Sequence, residues 1–472
     1  MSAATSPAPA GVSLMGKVVL GLLTIVVIGA LAFFLLWVTG IGDTLVAWAI
    51  DTGDANIEIL RFLAAATGVL LFTVPAAFVI IYMELKIIAQ MNLRVGPDRT
   101  GPFGALASLM AGLKVLSKED YTPRGADVPV FTLAPAVVFL ASVMTLLVIP
   151  FAPGMAGYYM DLGLIYFFAA SGLGVVGLMM AGWSSFNKYS LLGGIRAAAA
   201  VISYELPLIL ATFGVVLLAA VTNPEVSPLN LGQIVENQGG WVWNWYAFQQ
   251  PLALIIFFIA ATAEAGRTPF DYTEADSELV AGFATEYSGM RFGFFFFAEY
   301  VNVFILSALT VTLFLGGYHT GIDIDPILGF FGVATPVELS NIDPGSLGPW
   351  LLAIPLLVPP MLTLVLTGLV WLARSQWGFL KSLVVGFVLA NLLIGAAVTV
   401  WAVFSFEALL GLLVFFGKSF ALVALFVMMR ATYPRVRIDQ MMNFAWKWLM
   451  PAALLNIFVT AFAIIVVREY LS

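Results

Sequence analysis

The feature that most constrains this chain is a series of long apolar stretches that runs along most of the sequence. A stretch of about 18 or more apolar residues with few charges is typical of a transmembrane helix. Closed barrels also satisfy every backbone hydrogen bond in hydrocarbon, but their strands need only about 10 residues of alternating polarity. The sequence therefore predicts an all-α fold, a polytopic bundle of transmembrane helices. About 11 spans are predicted, at residues 17–38, 60–83, 129–151, 162–183, 199–221, 241–263, 293–316, 350–373, 380–403, 407–429 and 451–467.

The residue composition supports this prediction. Hydrophobic residues make up 61% of the chain and charged residues 10%, against roughly 25% charged in an ordinary soluble domain. Because the chain contains no cysteine, we exclude disulfides, Cys-ligated zinc and iron–sulfur clusters held by this chain. No metal site is predicted, and no basic patch suggests nucleic acid. Any electron-transfer centre must therefore belong to a partner.

The positions of lysine and arginine predict the orientation, because short loops rich in these residues stay in the cytoplasm. If residues 84–128 are cytoplasmic, nearly all of the 20 basic residues fall on that side; Arg61 and Arg468 fall outside, and Lys418 falls within a span. The N-terminus is then cytoplasmic. We expect a multi-pass protein of a prokaryotic plasma membrane, whose first span is retained rather than cleaved as a signal peptide.

A glycine pattern in one span, Gly172-Leu-Gly174-Val-Val-Gly177, matches a dinucleotide-binding fingerprint. The pattern lacks the preceding strand and the following acidic residue that the fingerprint requires. Small residues in a membrane helix more often permit close packing of helices. We therefore assign these glycines to packing.

Three cytoplasmic segments carry more charge than a simple connection needs. Residues 103–118 alternate small or apolar positions with lysines, which predicts an amphipathic helix along the membrane surface. Residues 430–440 contain three arginines, which alone would only hold the loop inside. The third segment contains six acids: Glu264, Asp271, Glu274, Asp276, Glu278 and Glu286. Carboxylates crowded at a membrane boundary have coupled protonation equilibria, which suits proton relay. The alternative is a solvated acidic face.

Two ionisable residues are predicted inside spans. Glu205 lies nine positions beyond Arg196, about 13 Å deeper at a rise of about 1.5 Å per residue. An acid at that depth is by default a proton-path or ligand residue. Lys418 lies about 18 Å from Arg430 by the same arithmetic, which places its ammonium inside the membrane. We therefore expect it to pair with Glu205 or another acid. The single histidine, His319, is expected to be a solvated loop residue.

These segments together resemble the family of the quinone-site membrane subunit (subunit 1 in mitochondria) of proton-pumping NADH:quinone oxidoreductase, respiratory complex I. The resemblance covers about residues 60–320 and 405–465 and includes four blocks that match in order and spacing. The blocks are Glu84 to Lys86 with Leu93-Arg94, Gly96-Pro97 and Gly101-Pro102; Ser184 to Glu205; Glu264 to Tyr300; and Lys418 with Arg430 to Gln440.

The resemblance implies a chamber, shared with a peripheral arm, in which quinone is the substrate. The iron–sulfur cluster and flavin would belong to partner subunits, and other membrane-arm subunits and lipid would be further neighbours. The implied chamber residues are Glu84, Arg94, Arg196, Arg267, Phe270, Asp271, Arg291 and Arg430. The implied proton path comprises Glu205, Glu264, Glu274, Asp276, Glu278, Glu286 and Lys418.

The same resemblance divides the chain into four predicted regions. Residues 1–58 form an N-terminal extension with one additional span, and residues 59–319 form the core spans with loops 84–128 and 264–292. Residues 320–404 form an insertion with two additional spans, and residues 405–472 hold the final core spans with loop 430–447.

Four departures from the family pattern fall in or beside the implied chamber: Leu85 stands for arginine, Ala111 for aspartate, Ala200 for glutamine and Gly266 for asparagine. Because of these departures, the sequence does not decide the identity of the electron acceptor. The alternatives are the related membrane subunit of an energy-converting hydrogenase or F420H2-type dehydrogenase, and a stand-alone ion transporter. Against the transporter, we find no inverted repeat of broken helices.

Overall fold

The computed structural model describes residues 57–100, 102–153, 155–158, 160–224, 226–271, 281–321 and 406–470. The predicted spans 17–38, 350–373 and 380–403 lie outside the described residues, as do Glu274, Asp276 and Glu278. Apart from residues 57–60 and 406, the described helices belong to one compact unit, Arg61–Val333 with Glu407–Ser472.

Helices dominate the described residues. Seven of these helices are long and apolar enough to cross a membrane, and an eighth apolar helix is shorter. The polytopic helix bundle predicted from the sequence is therefore confirmed. In chain order the helices are α1 (Ile57–Met91), α2 (Ala107–Leu116), α3 (Val128–Leu146), α4 (Gly163–Ser184), α5 (Lys188–Thr222), α6 (Leu231–Glu236), α7 (Tyr246–Gln249), α8 (Pro251–Glu264), α9 (Gly289–Phe314), α10 (Phe406–Thr432), α11 (Ile438–Phe444) and α12 (Met450–Tyr470).

The short helix α8 corrects one predicted span. The sequence predicts a span over 241–263, but the apolar helix begins only at Pro251, which occupies its first turn. A proline there lacks the N–H that a helix leaves unbonded in any case, so it favours a helix start. The tryptophan-rich residues before it form the 3₁₀ turn Val242–Asn244 and α7 instead.

A small β-hairpin follows α3 and was not predicted. Helix α3 ends at Leu146, before the end of the apolar stretch 129–151. The last residues of that stretch form strand β1 (Pro150–Ala152), which pairs antiparallel with β2 (Met155–Ala156). Apolar composition alone does not separate a helix end from a short buried strand.

Helix α9 lies at the centre of the bundle, with most of its residues buried from Val301 onward. It packs on α2, α3 and α8, while α5 packs on α4, α8 and α12. Stacked and tilted phenylalanine rings join α1, α9 and α10: the ring centroids of Phe72 and Phe304 are 5.7 Å apart, and those of Phe72 and Phe416 are 5.3 Å apart. On α12, by contrast, Phe458 and Phe462 are exposed, as expected for side chains that face lipid.

The predicted surface helix is present as α2. It spans ten residues rather than the predicted 103–118 and follows a 3₁₀ turn at Pro102–Gly104. One side packs against the bundle, where a Cβ on Gly112 would lie 2.7 Å from the ring of Phe78. The other side exposes Leu109 and Met110. The helix therefore lies against α1 and α9 and presents apolar side chains outward.

Candidate functional site

Four charged side chains from four separate segments meet in the interior. The Glu84 carboxylate of α1 accepts a 2.5 Å hydrogen bond from Arg430 Nη1 of α10 and lies 3.4 Å from Arg267 Nη1. The other terminal nitrogen of Arg267, Nη2, lies 3.5 Å from the Glu299 carboxylate of α9. We call Glu84, Arg267, Glu299 and Arg430 the ion cluster. Its members alternate in sign, so each buried charge has an opposite neighbour.

Arg267 is the central member of the ion cluster and is only 5% exposed. Its guanidinium lies 4.4 Å from the centre of the Tyr300 ring, in cation–π contact. Burial alone would lower the pKa of Arg267, but the carboxylates of Glu299 and Glu84 outweigh it and raise that pKa. The arginine therefore stays charged at any physiological pH.

A tight turn after α8 directs Arg267 inward. Gly266 adopts a φ of 63°, in the left-handed region that glycine and asparagine tolerate best. Its replacement of the family's asparagine is therefore compatible with the same turn. The Arg267 N–H then donates to the Thr262 carbonyl at 3.3 Å. Of the other departures, Leu85 and Ala111 are exposed, whereas Ala200 is fully buried on α5.

The segment after Arg267 joins α5 and the arginine-rich loop. The Phe270 ring lies 5.4 Å from that of Tyr204, whose hydroxyl donates to the Met441 carbonyl at 2.9 Å. Asp271, 8% exposed, accepts a 2.8 Å bond from Arg435 Nη2. Arginines of the loop 430–440 therefore bind acids of the site, in addition to any topological role.

A cavity of about 570 Å³ lies beside the ion cluster, between α3, α4, α9 and the loop after α8. Glu299 and Arg430 of the cluster line it, as do Asp271 and Arg435. Its other walls combine aromatic rings with small and hydroxyl side chains. These include Phe283, Phe292, Phe295, Phe296, Ser142, Thr145, Ser171, Gly174, Glu264 and Asn302.

Two predicted proton-path acids lie at or beside this cavity. Glu264, 9% exposed, lines the cavity, and its Oε2 has no hydrogen-bond partner among the described residues. Glu205 of α5 is close enough for its charge to interact with that of Glu264, and its carboxylate interacts with the Ser171 hydroxyl in the cavity wall. Glu264, the Ser171 contact of Glu205 and two members of the ion cluster therefore lie around one cavity.

The glycine pattern on α4 lets this helix pack closely on its neighbours beside the cavity, as the sequence predicts. A Cβ on Gly177 would lie 2.4 Å from Val138 of α3, so the two helices touch there. Gly174 lines the cavity, and a Cβ on Gly172 would lie 3.8 Å from the Glu205 carboxylate.

The other predicted cytoplasmic residues lie elsewhere. Arg94 is exposed in the turn after α1, and Arg196 is half-buried on α5. Arg291 pairs with Asp120 at 3.2 Å. Glu286 accepts a 2.6 Å hydrogen bond from Asn187. None of these four predicted residues belongs to the ion cluster.

Lys418 does not have the acidic partner expected from the sequence, as far as the described residues extend. Its ammonium donates to the carbonyl oxygens of Leu315 at 2.7 Å, Gly317 at 3.1 Å and His319 at 2.6 Å. It also lies 4.1 Å from the centre of the Trp245 ring. Oriented carbonyl dipoles at a helix end and the face of an aromatic ring stabilise a cation without a carboxylate.

His319 is not the solvated residue that the sequence predicts. The residue is half-buried, and its Nε2 is buried with no hydrogen-bond partner among the described residues. Burial lowers the pKa of His319, and the nearby Lys418 charge lowers it further.

Sequence reasoning missed three parts of the site. Glu299 and Tyr300 stand in an aromatic run at the start of α9, where a span-end acid gave no strong signal. Arg435 was visible in the arginine-rich loop but had no predicted partner. Ser171 lies in an apolar span, and only its contact with Glu205 marks it.

The chain is similar in sequence to known proteins. The sequence model of the family described as NADH dehydrogenase matches residues 63–461. The chain belongs to this NADH dehydrogenase family. Among its relatives, an NADH-quinone oxidoreductase subunit of Geobacillus kaustophilus strain HTA426 is 40% identical over 84% of this chain and 92% of its own length. The same subunits of Geobacillus thermodenitrificans and Anoxybacillus flavithermus are each 38% identical, over 84% and 85% of this chain and 92% and 93% of their own lengths. The ion cluster, the cavity and Lys418 all lie within the part that matches the NADH dehydrogenase family.

Proposed function

We propose that this chain is the membrane subunit of an NADH:quinone oxidoreductase that forms the quinone chamber with a peripheral arm and couples quinone reduction to proton translocation. One observation carries the proposal: the ion cluster lies at the wall of a cavity that Glu264 also lines. The chain acts as one subunit of that oxidoreductase and is not catalytic alone. Its place is a prokaryotic plasma membrane, with the chamber loops and the N-terminus on the cytoplasmic side.

The lining of the cavity fits a quinone. Ligand pockets for such molecules are mostly apolar, with a few polar groups that set the orientation. Four phenylalanines supply apolar walls, and Asp271, Glu299, Arg430 and Arg435 supply charged groups. Reduction of a quinone consumes two protons, so acids that can exchange protons must lie within reach. Glu264 is the acid best suited, because it is buried in the same wall.

The coupling step rests on the closeness of Glu264 and Glu205. Two carboxylates whose charges interact do not titrate independently, so a change in charge at the first alters proton occupancy at the second. Arg267 remains charged throughout and holds Glu84 and Glu299 in place. Lys418 is not assigned to this coupling step, because its contacts do not suit a proton carrier.

The exposed loops support docking of a soluble partner. Leu93, Phe103 and Phe186 adopt positive φ values of 52°, 56° and 52°, and their exposed fractions are 96%, 80% and 80%. A left-handed conformation costs roughly 1 kcal/mol or more for such residues, and exposed aromatic and aliphatic side chains often mark a protein interface. We assign these residues to the contact with the peripheral arm, whose subunits carry the iron–sulfur cluster and flavin.

The experiment tests Glu205 in the intact complex reconstituted into vesicles. The variant Glu205→Gln keeps the size and hydrogen bonding of the side chain but cannot carry a proton. We expect NADH-driven proton translocation to be strongly reduced while the complex still assembles. The control is Glu236→Gln, which changes an exposed glutamate at the end of α6.

Unchanged proton translocation in Glu205→Gln would remove that residue from the path. Identification of the soluble subunits of the purified complex tests the donor module. A nickel–iron hydrogenase or an F420H2-oxidising arm would replace the NADH assignment. A chain that transports ions without any soluble partner would refute the whole proposal.

A further inference from the structure

The hydrogen bonds of Lys418 Nζ indicate its protonation state. An ammonium group has three N–H donors and no acceptor, and the three backbone carbonyls that contact Nζ are acceptors only. A neutral amine has two hydrogens and a lone pair, which would point at one of these oxygens. The three contacts therefore favour the protonated form. The final carbonyls of α9 add the negative end of the helix dipole, which favours a cation further.

The same contacts make Lys418 unsuitable as a proton carrier. A relay needs a neighbour that takes up and releases protons, such as a carboxylate, an imidazole, a hydroxyl or water. Each of these hydrogen bonds from Nζ ends on a backbone carbonyl, and the side chain lies against the Trp245 ring. The nearby His319 accepts through its carbonyl oxygen and not through its imidazole. Although the sequence resemblance suggests a proton-path role, these contacts describe a fixed positive charge.

The surroundings of this charge are rigid. Gln238 is fully buried, and its amide donates to the carbonyls of Ile234 at 3.1 Å and Thr312 at 3.0 Å. Its oxygen accepts from the Gly316 N–H at 3.1 Å. The turn that follows α9 is therefore fixed on both sides of the Leu315 carbonyl. A Cβ on Gly316 would lie 2.4 Å from Trp245, so the indole is packed directly on this turn.

Lys418 lies between the acids of the cavity and the outer end of the bundle. It is twelve residues from Arg430 of the ion cluster, about 18 Å along α10. It contacts the end of α9 that is opposite to Glu299. Buried polar atoms without partners among the described residues also occur in this outer half: Ser419 Oγ, Gln250 Oε1 and Asn456 Nδ2. Such atoms are sites where water can enter.

We propose that Lys418 is an electrostatic seal: its fixed charge blocks the passage of protons between the outer face and the carboxylates of the cavity. A proton that crosses this region must pass close to a positive charge in a medium of low dielectric constant, where like charges repel strongly. Fixed cations serve as barriers of this kind in pores that exclude protons. The inference rests on the proposed function, since a seal has a purpose only where a proton route exists.

The test measures passive proton leak in sealed vesicles that contain the complete complex, without NADH or quinone. An imposed pH gradient decays, and a pH-sensitive dye records its rate. Lys418→Gln retains amide donors for the carbonyls but removes the charge, Lys418→Met removes both, and Lys418→Arg keeps the charge. We expect both neutral variants to leak at least about tenfold faster than the wild type. Lys418→Arg stays tight, as does the control Lys447→Gln, which changes an exposed lysine.

The outcomes separate the seal from the proposed function. Neutral variants as tight as the wild type would overturn the seal, even if NADH-driven pumping were intact. If neither neutral variant assembles while Lys418→Arg does, the charge serves folding and the seal is also overturned. A wild-type complex that does not reduce quinone with NADH would refute the proposed function instead. The leak assay reports none of that chemistry, so the two failures remain distinguishable.

Discussion

Replacement of Arg267 by glutamine should destabilise this protein more than a typical change of a charged residue. Arg267 is 5% exposed and lies 3.4 Å from Glu84 and 3.5 Å from Glu299. At an effective dielectric constant of about 20, each contact corresponds to roughly 5 kcal/mol of attraction. Desolvation of the ions offsets much of this sum. Removal of one partner from a buried ion pair nevertheless costs about 3–5 kcal/mol, because it leaves an uncompensated charge.

The assay is reversible unfolding of the purified chain in mixed micelles with increasing mole fraction of SDS. We expect Arg267→Gln to lower the free energy of unfolding by about 3–5 kcal/mol. Arg267→Lys should recover part of the loss, because one ammonium keeps the charge but cannot reach both carboxylates in the forked geometry of a guanidinium.

The matched control is the same substitution in a more exposed pair. Arg291 lies 3.2 Å from Asp120, and the two side chains are 21% and 38% exposed. Solvent screens such a pair, so Arg291→Gln should cost about 1 kcal/mol or less. Equal losses for Arg267→Gln and Arg291→Gln would refute the reasoning, because the ion cluster would then be no better shielded from water than the more exposed pair.

Two further predictions concern packing and pH. A Cβ on Gly193 would lie 2.6 Å from backbone atoms of Gly282, so Gly193→Ala should cost about 1–3 kcal/mol and lower quinone reductase activity. Gly417→Ala, with nothing within 4 Å of the new Cβ, should be neutral or stabilise by up to about 1 kcal/mol; equal effects on activity would contradict the packing argument. Burial and the Lys418 charge lower the pKa of His319. The contribution of its neutral imidazole to the stability of the folded state is therefore fully present above the unfolded pKa of about 6.5, and it is lost as pH falls towards the folded pKa. His319→Gln should therefore reduce the loss of thermal stability between neutral pH and about pH 5, and an unchanged pH profile would exclude that role.

Several parts of the site could be predicted because their signal is local. Glu205 and Lys418 stand out as ionisable residues in apolar stretches, and both lie within helices of spanning length. The start of α8 was misjudged although Pro251 marked it, because the tryptophans before it are apolar enough to extend the predicted span. Glu84 and Arg430 are 346 residues apart, and no local rule brings them together. The roles assigned to these residues in quinone reduction and proton transfer stay predictions.

The sequence by itself determined that this chain is a membrane helix bundle. It placed both ends of the spans 162–183, 293–316, 407–429 and 451–467 within a few residues of the observed helices, but misplaced at least one end of the other described spans by more. Partition into hydrocarbon depends on the residues of each segment and on nothing distant, so it can be read along the chain. Only the tertiary structure decided which charges meet. Neighbours in a bundle depend on the rotation and packing of each helix against the others, which is why Arg267 lies between two carboxylates and why carbonyl oxygens, not an acid, surround Lys418.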